Sequence, residues 1–219
     1  MRLGRLVAER RRLAAYWGAA VVQVAAVAVD AKLLKRASKA TLMPLLLSWM
    51  RTQGASTLIQ AALLASAAGD LLLETEFQTA GIAAFAAAQA CYLAVFLDKP
   101  GERSWRVLAA YGALWAALIA LLGRDLGSQR VPVAAYALLL TATAIAAKWH
   151  NPRSGVGGAL FLVSDALIAM RLAGRDFPGR GVLVMSTYAT GQYLLVSGTR
   201  KGTRQPEVRE QAGVEAGER

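Results

Sequence analysis

What most constrains this chain is where its charges fall. They gather in short breaks between apolar runs at residues 13–29, 40–50, 55–73, 80–97, 105–122, 131–147, 154–172 and 181–198. At a rise of about 1.5 Å per residue, most of these runs match the hydrocarbon thickness of a bilayer. They are also apolar nearly all round, whereas a helix of a soluble bundle keeps one charged face. The expected fold is therefore all-α: a polytopic membrane protein with eight transmembrane helices in one bundle. Residues 1–12 read as a basic cytoplasmic N-terminus and residues 13–198 as the transmembrane domain. Residues 199–219 read as a polar, disordered cytoplasmic tail. The first run could end in a cleavable leader at Ala26-Val27-Ala28, but the segment after it is itself membrane-spanning, so it is read as a span. The run at 40–50 is short and contains Pro44, which predicts a kinked, tilted or partly inserted helix.

A net charge of +11 raises the question of nucleic acid. The basic residues sit at the ends of apolar runs, where Lys and Arg set membrane orientation, so a nucleic-acid partner is not expected. With the N-terminus inside, sixteen Lys and Arg fall on the cytoplasmic side, in the first twelve residues, at Arg51, between 99 and 106, at Lys148 and Arg153, and in the tail. Nine fall opposite: Lys32, Lys35, Arg36, Lys39, Arg124, Arg130, Arg171, Arg175 and Arg180. The expectation is a multi-pass protein of the cell (inner) membrane with both termini cytoplasmic. One cysteine, Cys91, and one histidine, His150, cannot build a His/Cys metal site. No metal and no cofactor is expected.

A few polar residues lie inside the spans. Ser66 and Asp70 stand one helical turn apart, with Glu74 one turn further on. Asp165, preceded by Ser164, lies well inside the seventh span. Gln89 is mid-way through the fourth, and Tyr188 and Gln192 share a face of the eighth. An aspartate at a helix centre costs roughly 2.5–3.5 kcal/mol on insertion scales, so such residues usually face the bundle interior and mark a pathway or site. By the helical rise, Asp70 lies about 5 Å below the outer boundary, and Asp165 and Tyr188 about 10 Å, with Lys39 at that boundary. Several spans thus converge on the outer half of the bilayer, as a cavity opening outward requires. The plainer readings are structural. Asp165 would form an ion pair with Lys39, Gln89 and Gln192 would join helices, Gln78, Phe85, Gln89 and Tyr92 would be a packing stripe, and Gly157 and Gly158 would let helices approach.

These residues resemble the YhhN-like integral membrane proteins, a family that includes the lysoplasmalogenases. The resemblance runs from about Lys39 to Gly198. Lys39-Ala-Thr-Leu-Met-Pro44 is similar to the family's Lys-Pro-x-x-Met-Pro element, with Ala40 in place of the first Pro. Gly69-Asp70-Leu-Leu-Leu73 is similar to its Gly-Asp motif. Phe77 through Tyr92 resembles its aromatic helix, with Gln89 where His is common. Phe161-Leu-Val-Ser164-Asp165 is similar to its Ser-Asp motif, and Tyr188-x-x-x-Gln192 followed by Gly198 to its last helix.

The resemblance implies an enzyme that hydrolyses the vinyl ether bond of a lysophospholipid, releasing a fatty aldehyde and a glycerophosphobase. That chemistry needs a carboxyl carrying a proton near neutral pH, and burial favours the uncharged form of a carboxyl in general. A second, ionised carboxylate would steady the cation, as in glycosidases. The expected catalytic pair is Asp70 and Asp165, in either order. Lys39 is expected to meet the lipid phosphate and Glu74 a cationic head group. Gln89, Tyr92, Ser164, Tyr188 and Gln192 are expected to line the substrate site. The competing readings are a proton-coupled secondary transporter using the same carboxylates and a non-catalytic lipid-binding scaffold. Head group and oligomeric state are not legible in the sequence.

Overall fold

The computed structural model describes residues 2–98 and 100–200, so Lys99 and nearly all of the expected tail lie outside the described residues. The described chain is all-helical: α1 (Arg2–Ala28), α2 (Lys32–Thr52), α3 (Thr57–Leu72), α4 (Gln78–Asp98), α5 (Trp105–Leu122), α6 (Arg130–His150), α7 (Pro152–Leu172) and α8 (Arg180–Ser197), with one short 3₁₀ turn at Gly127–Gln129. Each apolar run coincides with one helix. Four segments are long and apolar enough to cross a membrane, Thr79–Asp98, Trp105–Leu122, Gly127–His150 and Pro152–Leu172, with mean hydropathies between 1.6 and 1.9. The chain is built as a multi-pass membrane protein.

Two helices outrun their apolar stretches. α1 continues N-terminally through Arg12, Arg11 and Arg10 to Arg2, so much of the basic segment belongs to the same helix as the run behind it. α2 begins at Lys32 and passes through Pro44 without a break. Pro44 is exposed, so its ring faces away from the core. Lys39 consequently sits two turns inside a helix rather than in a loop.

The tightest reversal is written in two residues. Proline disfavours the helical conformation of the residue before it. Asn151 is extended at φ −169°, ψ 161°, which ends α6, and its side chain accepts from the Ser154 N–H at 2.8 Å to start α7. Spatial neighbours then close a ring in the order α1, α2, α3, α4, α6, α7, α8, while α5 lies outside it against α6. Successive helices reverse direction, so the neighbours α4 and α6 run parallel. The Tyr16 hydroxyl on α1 donates to the Ala189 carbonyl on α8 at 2.6 Å and closes the ring. The interior is filled by Trp49, Tyr92, Phe96, Phe161, Leu42, Met43 and Leu46, all buried.

α7 and α8 make the closest approach. A Cβ on Gly157 would lie 2.2 Å from the Leu195 nitrogen, and one on Gly191 2.9 Å from the Phe161 nitrogen. Hydroxyls of Ser154 and Ser164 donate across the seam to the Leu195 and Val184 carbonyls at 3.0 and 3.2 Å, and the Asn151 amide donates to the Gly198 carbonyl at 3.1 Å. Gly157→Ala should therefore lower stability by roughly 1–3 kcal/mol, since backbone must move to admit the methyl. Gly18→Ala on α1, where a Cβ meets nothing within 4 Å, should be neutral or raise stability by up to about 1 kcal/mol. Thermal unfolding of the two variants in detergent checks both, and equal midpoints would contradict the seam.

Candidate active site

The Gly-Asp step on α3 works by contact. A Cβ on Gly69 would sit 2.5 Å from the Phe85 ring. The bare glycine lets the α4 aromatic lie against α3 and places Asp70 on the inner face, where it is 4% exposed. Both carboxylate oxygens of Asp70 are engaged. The Tyr188 hydroxyl donates to Oδ2 at 2.7 Å, and Lys39 Nζ lies 3.8 Å from Oδ1. Lys39 also donates to Glu74 Oε1 at 3.0 Å. Glu74 belongs to the turn after α3 and not to the helix, yet Lys39 ties it to Asp70. This answers the plainer reading of the lysine: its ion pairs are with Asp70 and Glu74.

Behind Asp70 the network continues inward. The Gln192 amide donates to Ser66 Oγ at 3.2 Å, and the Tyr92 hydroxyl donates to Gln192 Oε1 at 2.9 Å. Ser66, Tyr92 and Gln192 are fully buried, so each hydrogen bond replaces water that the site excludes. In front of Asp70 a cavity of about 180 Å³ opens between α2 and α3, lined by Arg36, Lys39, Ala40, Asp70, Leu71, Glu74 and Thr75.

Asp165 stands apart from that network. Its Oδ2 accepts from the Tyr136 hydroxyl on α6 at 2.6 Å, and it lies within electrostatic reach of Asp70. The rings of Phe85, Phe161 and Tyr188 pack edge to face, with centroids 5.4–6.4 Å apart. Tyr188 belongs to both this aromatic cluster and the Asp70 network. Gln89 on α4 is fully buried. Its carbonyl accepts from the Thr143 hydroxyl at 3.2 Å. Its side-chain amide lies beside the Tyr136 hydroxyl, but neither its nitrogen nor its oxygen makes a hydrogen bond of ordinary geometry.

The structure thus gathers Lys39, Asp70, Glu74 and Tyr188 into one connected set, with Tyr92 and Gln192 bonded to one another and to Ser66, one turn before Asp70 on α3. Asp165 and Gln89 fall in a second set, and Ser164 is engaged by the α7/α8 seam, donating to a backbone carbonyl. Tyr136 was not anticipated. It lies six residues into α6, about 9 Å along the helix from Arg130, the depth expected for Asp165. Depth matching across spans was the signal that would have found it. Among the described residues no group of three His, Cys, Asp or Glu is placed to hold a metal ion. Chemically, the arrangement offers two carboxyls, each oriented by a tyrosine hydroxyl, one of them beside a cation and a polar cleft.

A model of the YhhN family matches residues 34–199. The chain is 33% identical to lysoplasmalogenase TMEM86B of Sus scrofa over 145 residues, which cover 65% of this chain and 63% of that protein. It is 32% identical to lysoplasmalogenase TMEM86B of Homo sapiens over 146 residues, with the same shares. The match therefore spans somewhat less than two thirds of the length of these curated relatives. No solved structure matches the chain. The family match runs from α2 to the end of α8 and takes in both aspartates, both tyrosines and the α7/α8 seam, and on that extent the chain belongs to the YhhN family.

Proposed function

We propose that this protein is a membrane-embedded hydrolase that cleaves the vinyl ether bond of lysoplasmalogens to a fatty aldehyde and a glycerophosphobase. The observation that carries the reading is the pair of tyrosine-oriented carboxyls, Asp70 and Asp165, within electrostatic reach of one another among apolar helices. The name borne by the relatives supports the substrate class. Cleavage begins with protonation of the vinyl carbon remote from oxygen. The resulting oxocarbenium ion takes up water, and the hemiacetal collapses. A carboxylic acid and a carboxylate answer the two electrostatic demands of that sequence. In this reading Arg36 and Lys39 meet the lipid phosphate at the cleft mouth, and Glu74 meets a cationic head group. Tyr92, Tyr188 and Gln192 hold the Asp70 side in place.

The eight helices each cross the membrane in this reading, with both termini cytoplasmic and the cleft on the outer side. α5 supports immersion in lipid. It carries no charge after Arg106, and Leu108, Leu114 and Leu121 are all more than half exposed. A transporter reading has no comparable support, because α3, α4, α6, α7 and α8 run unbroken through the site, whereas secondary transporters bind at discontinuous helices.

Four outcomes are expected. Reporter fusions at the C-terminus should be active only with a cytoplasmic reporter, and a periplasm-only signal there would overturn the orientation. Asp70→Asn and Asp165→Asn keep shape and hydrogen bonding but not the charge or the exchangeable acid proton. Each should cut turnover of a lysoplasmalogen by roughly 10²–10⁴-fold while the protein still inserts and purifies normally. Near-normal turnover in either variant would make that residue structural. In heavy water the reaction should place one deuterium on the carbon next to the aldehyde carbonyl. A saturated ether analogue should bind and not react. Aldehyde formed without that deuterium would rule out protonation at carbon.

A further inference from the structure

Gln89 is the one side-chain amide among the described residues that is buried at 0% exposure with both polar atoms unpartnered. Leaving such a group without partners costs about 1–3 kcal/mol, so native proteins keep one for a reason. The other buried glutamines are satisfied: Gln192 bonds Ser66 and Tyr92, and Gln23 accepts from Ser38. Gln89 is held in place from behind, since its own carbonyl accepts from Thr143 on α6. Its amide lies beside the Tyr136 hydroxyl without a hydrogen bond of ordinary geometry, and that hydroxyl donates to Asp165. Three helices, α4, α6 and α7, therefore bring an acceptor and donor (the amide), an orienting hydroxyl and a carboxyl to one point.

The two carboxyls also differ in company. Asp70 has Lys39 at 3.8 Å and Glu74 close behind that lysine. Asp165 takes part in no ion pair among the described residues, and its only hydrogen-bond partner is a tyrosine. A carboxyl with a cation beside it is suited to remain an anion, and one with a neutral partner is suited to exchange a proton.

We propose that Gln89 and Tyr136 are positioning residues that hold the hydrolytic water against Asp165, which donates the proton and then takes one from that water, while Asp70 serves as the standing counter-charge. This rests on the hydrolase reading above. In the first step the Asp165 O–H bond breaks, and the vinyl π pair forms a C–H bond at the carbon remote from oxygen. That leaves a carboxylate and an oxocarbenium ion, the positive charge facing Asp70. In the second step the water held by the Gln89 amide forms a C–O bond at the oxocarbenium carbon and gives its proton to Asp165. The hemiacetal then breaks its bond to the glycerol oxygen, which ends with the hemiacetal hydroxyl's proton. Vinyl ether plus water gives aldehyde plus alcohol, with Asp165 restored. Tyr136 keeps one carboxyl oxygen occupied, so that the other is directed at substrate and water in turn.

The test uses the full-length protein in detergent with a lysoplasmalogen, in water containing methanol. Methanol competes for the oxocarbenium ion and yields a mixed methyl acetal, so the ratio of acetal to aldehyde reports how well water is held. That ratio is independent of the fraction of enzyme folded. Wild type should give a ratio well below that of acid-catalysed solvolysis in the same solvent. Gln89→Leu should raise it several-fold toward the solvolysis value, while deuterium from heavy water still enters the carbon next to the carbonyl. Its loss of turnover should be smaller than that of Asp165→Asn. Tyr136→Phe should raise the ratio as well and lower kcat by about 10- to 100-fold, the rate equivalent of one hydrogen bond to a charged group, with KM nearly unchanged. If Gln89→Leu yields no product, the same ratio in Tyr136→Phe decides. An unchanged ratio in the variants, or a wild-type ratio equal to solvolysis, overturns the water-holding role and leaves the hydrolase reading intact. Absence of any aldehyde from wild type overturns both.

Discussion

The approach of α7 to α8 is the contact on which the rest of the interior depends. Without side chains at Gly157 and Gly191, the two backbones meet at distances that no Cβ would allow. Serine hydroxyls then stitch the seam at both ends. Phe161 lies on one side of that seam and Tyr188 on the other, and their rings touch because the helices do. The Tyr188 hydroxyl is thereby fixed in reach of Asp70, and Asp165 lies one turn beyond Phe161 on the same helix, where the Tyr136 hydroxyl meets it. A membrane interior offers no hydrophobic drive between apolar helices, so close packing and interhelical hydrogen bonds supply the adhesion. Here the adhesive contacts between α7 and α8 set the positions of Phe161 and Tyr188, and through Tyr188 that of the Asp70 carboxyl.

Helix number and placement were legible in the sequence because hydrophobic runs of membrane length carry a strong signal. The ends of α1 and α2 were not. Arg10, Arg11 and Arg12, and Lys35, Arg36 and Lys39, mark where apolar character stops, but a helix does not stop with it. Helix propensity of Arg and Lys is high, and nothing between Lys32 and Ala40 breaks the hydrogen-bond ladder. The polar inventory was legible, since an aspartate within an apolar run is conspicuous by its cost. What periodicity along single helices could not reveal was partnership between helices. Ser164 reads like a site residue beside Asp165, but a neighbouring residue in a helix points about 100° away, and its hydroxyl meets the Val184 carbonyl instead. Tyr136 stands alone in its run, so its pairing with Asp165 exists only in three dimensions.

The interior holds two polar sets, and Tyr188 ties the first of them to the aromatic cluster. One set, around Asp70, carries charge and opens to a cleft between α2 and α3. The other, around Asp165, is neutral apart from the carboxyl itself and lies between α4, α6 and α7, with Gln89 fully buried and Tyr136 and Asp165 half-buried. Both sets sit among apolar side chains, where electrostatic interactions are stronger than in water. The rings of Phe85 and Phe161 give the region between them an apolar wall. A substrate with a charged end and an apolar chain would find its two halves matched by the two kinds of surface.

The place of α5 outside the ring has a consequence of parity. Seven helices that alternate in direction cannot close a ring with every neighbour antiparallel, so one adjacent pair must run the same way, and here it is α4 and α6. Two parallel neighbours cannot be joined by a short loop. The chain has to travel back the full thickness of the bundle, and α5 makes that return journey along the outside, as the crossover helix does between parallel strands of a sheet. Its contribution is therefore an inversion rather than a contact. Every residue after it takes its direction from that extra traverse, and Tyr136, Asp165 and Tyr188 lie at the same level of the bundle as Asp70 because α5 has turned the chain once more.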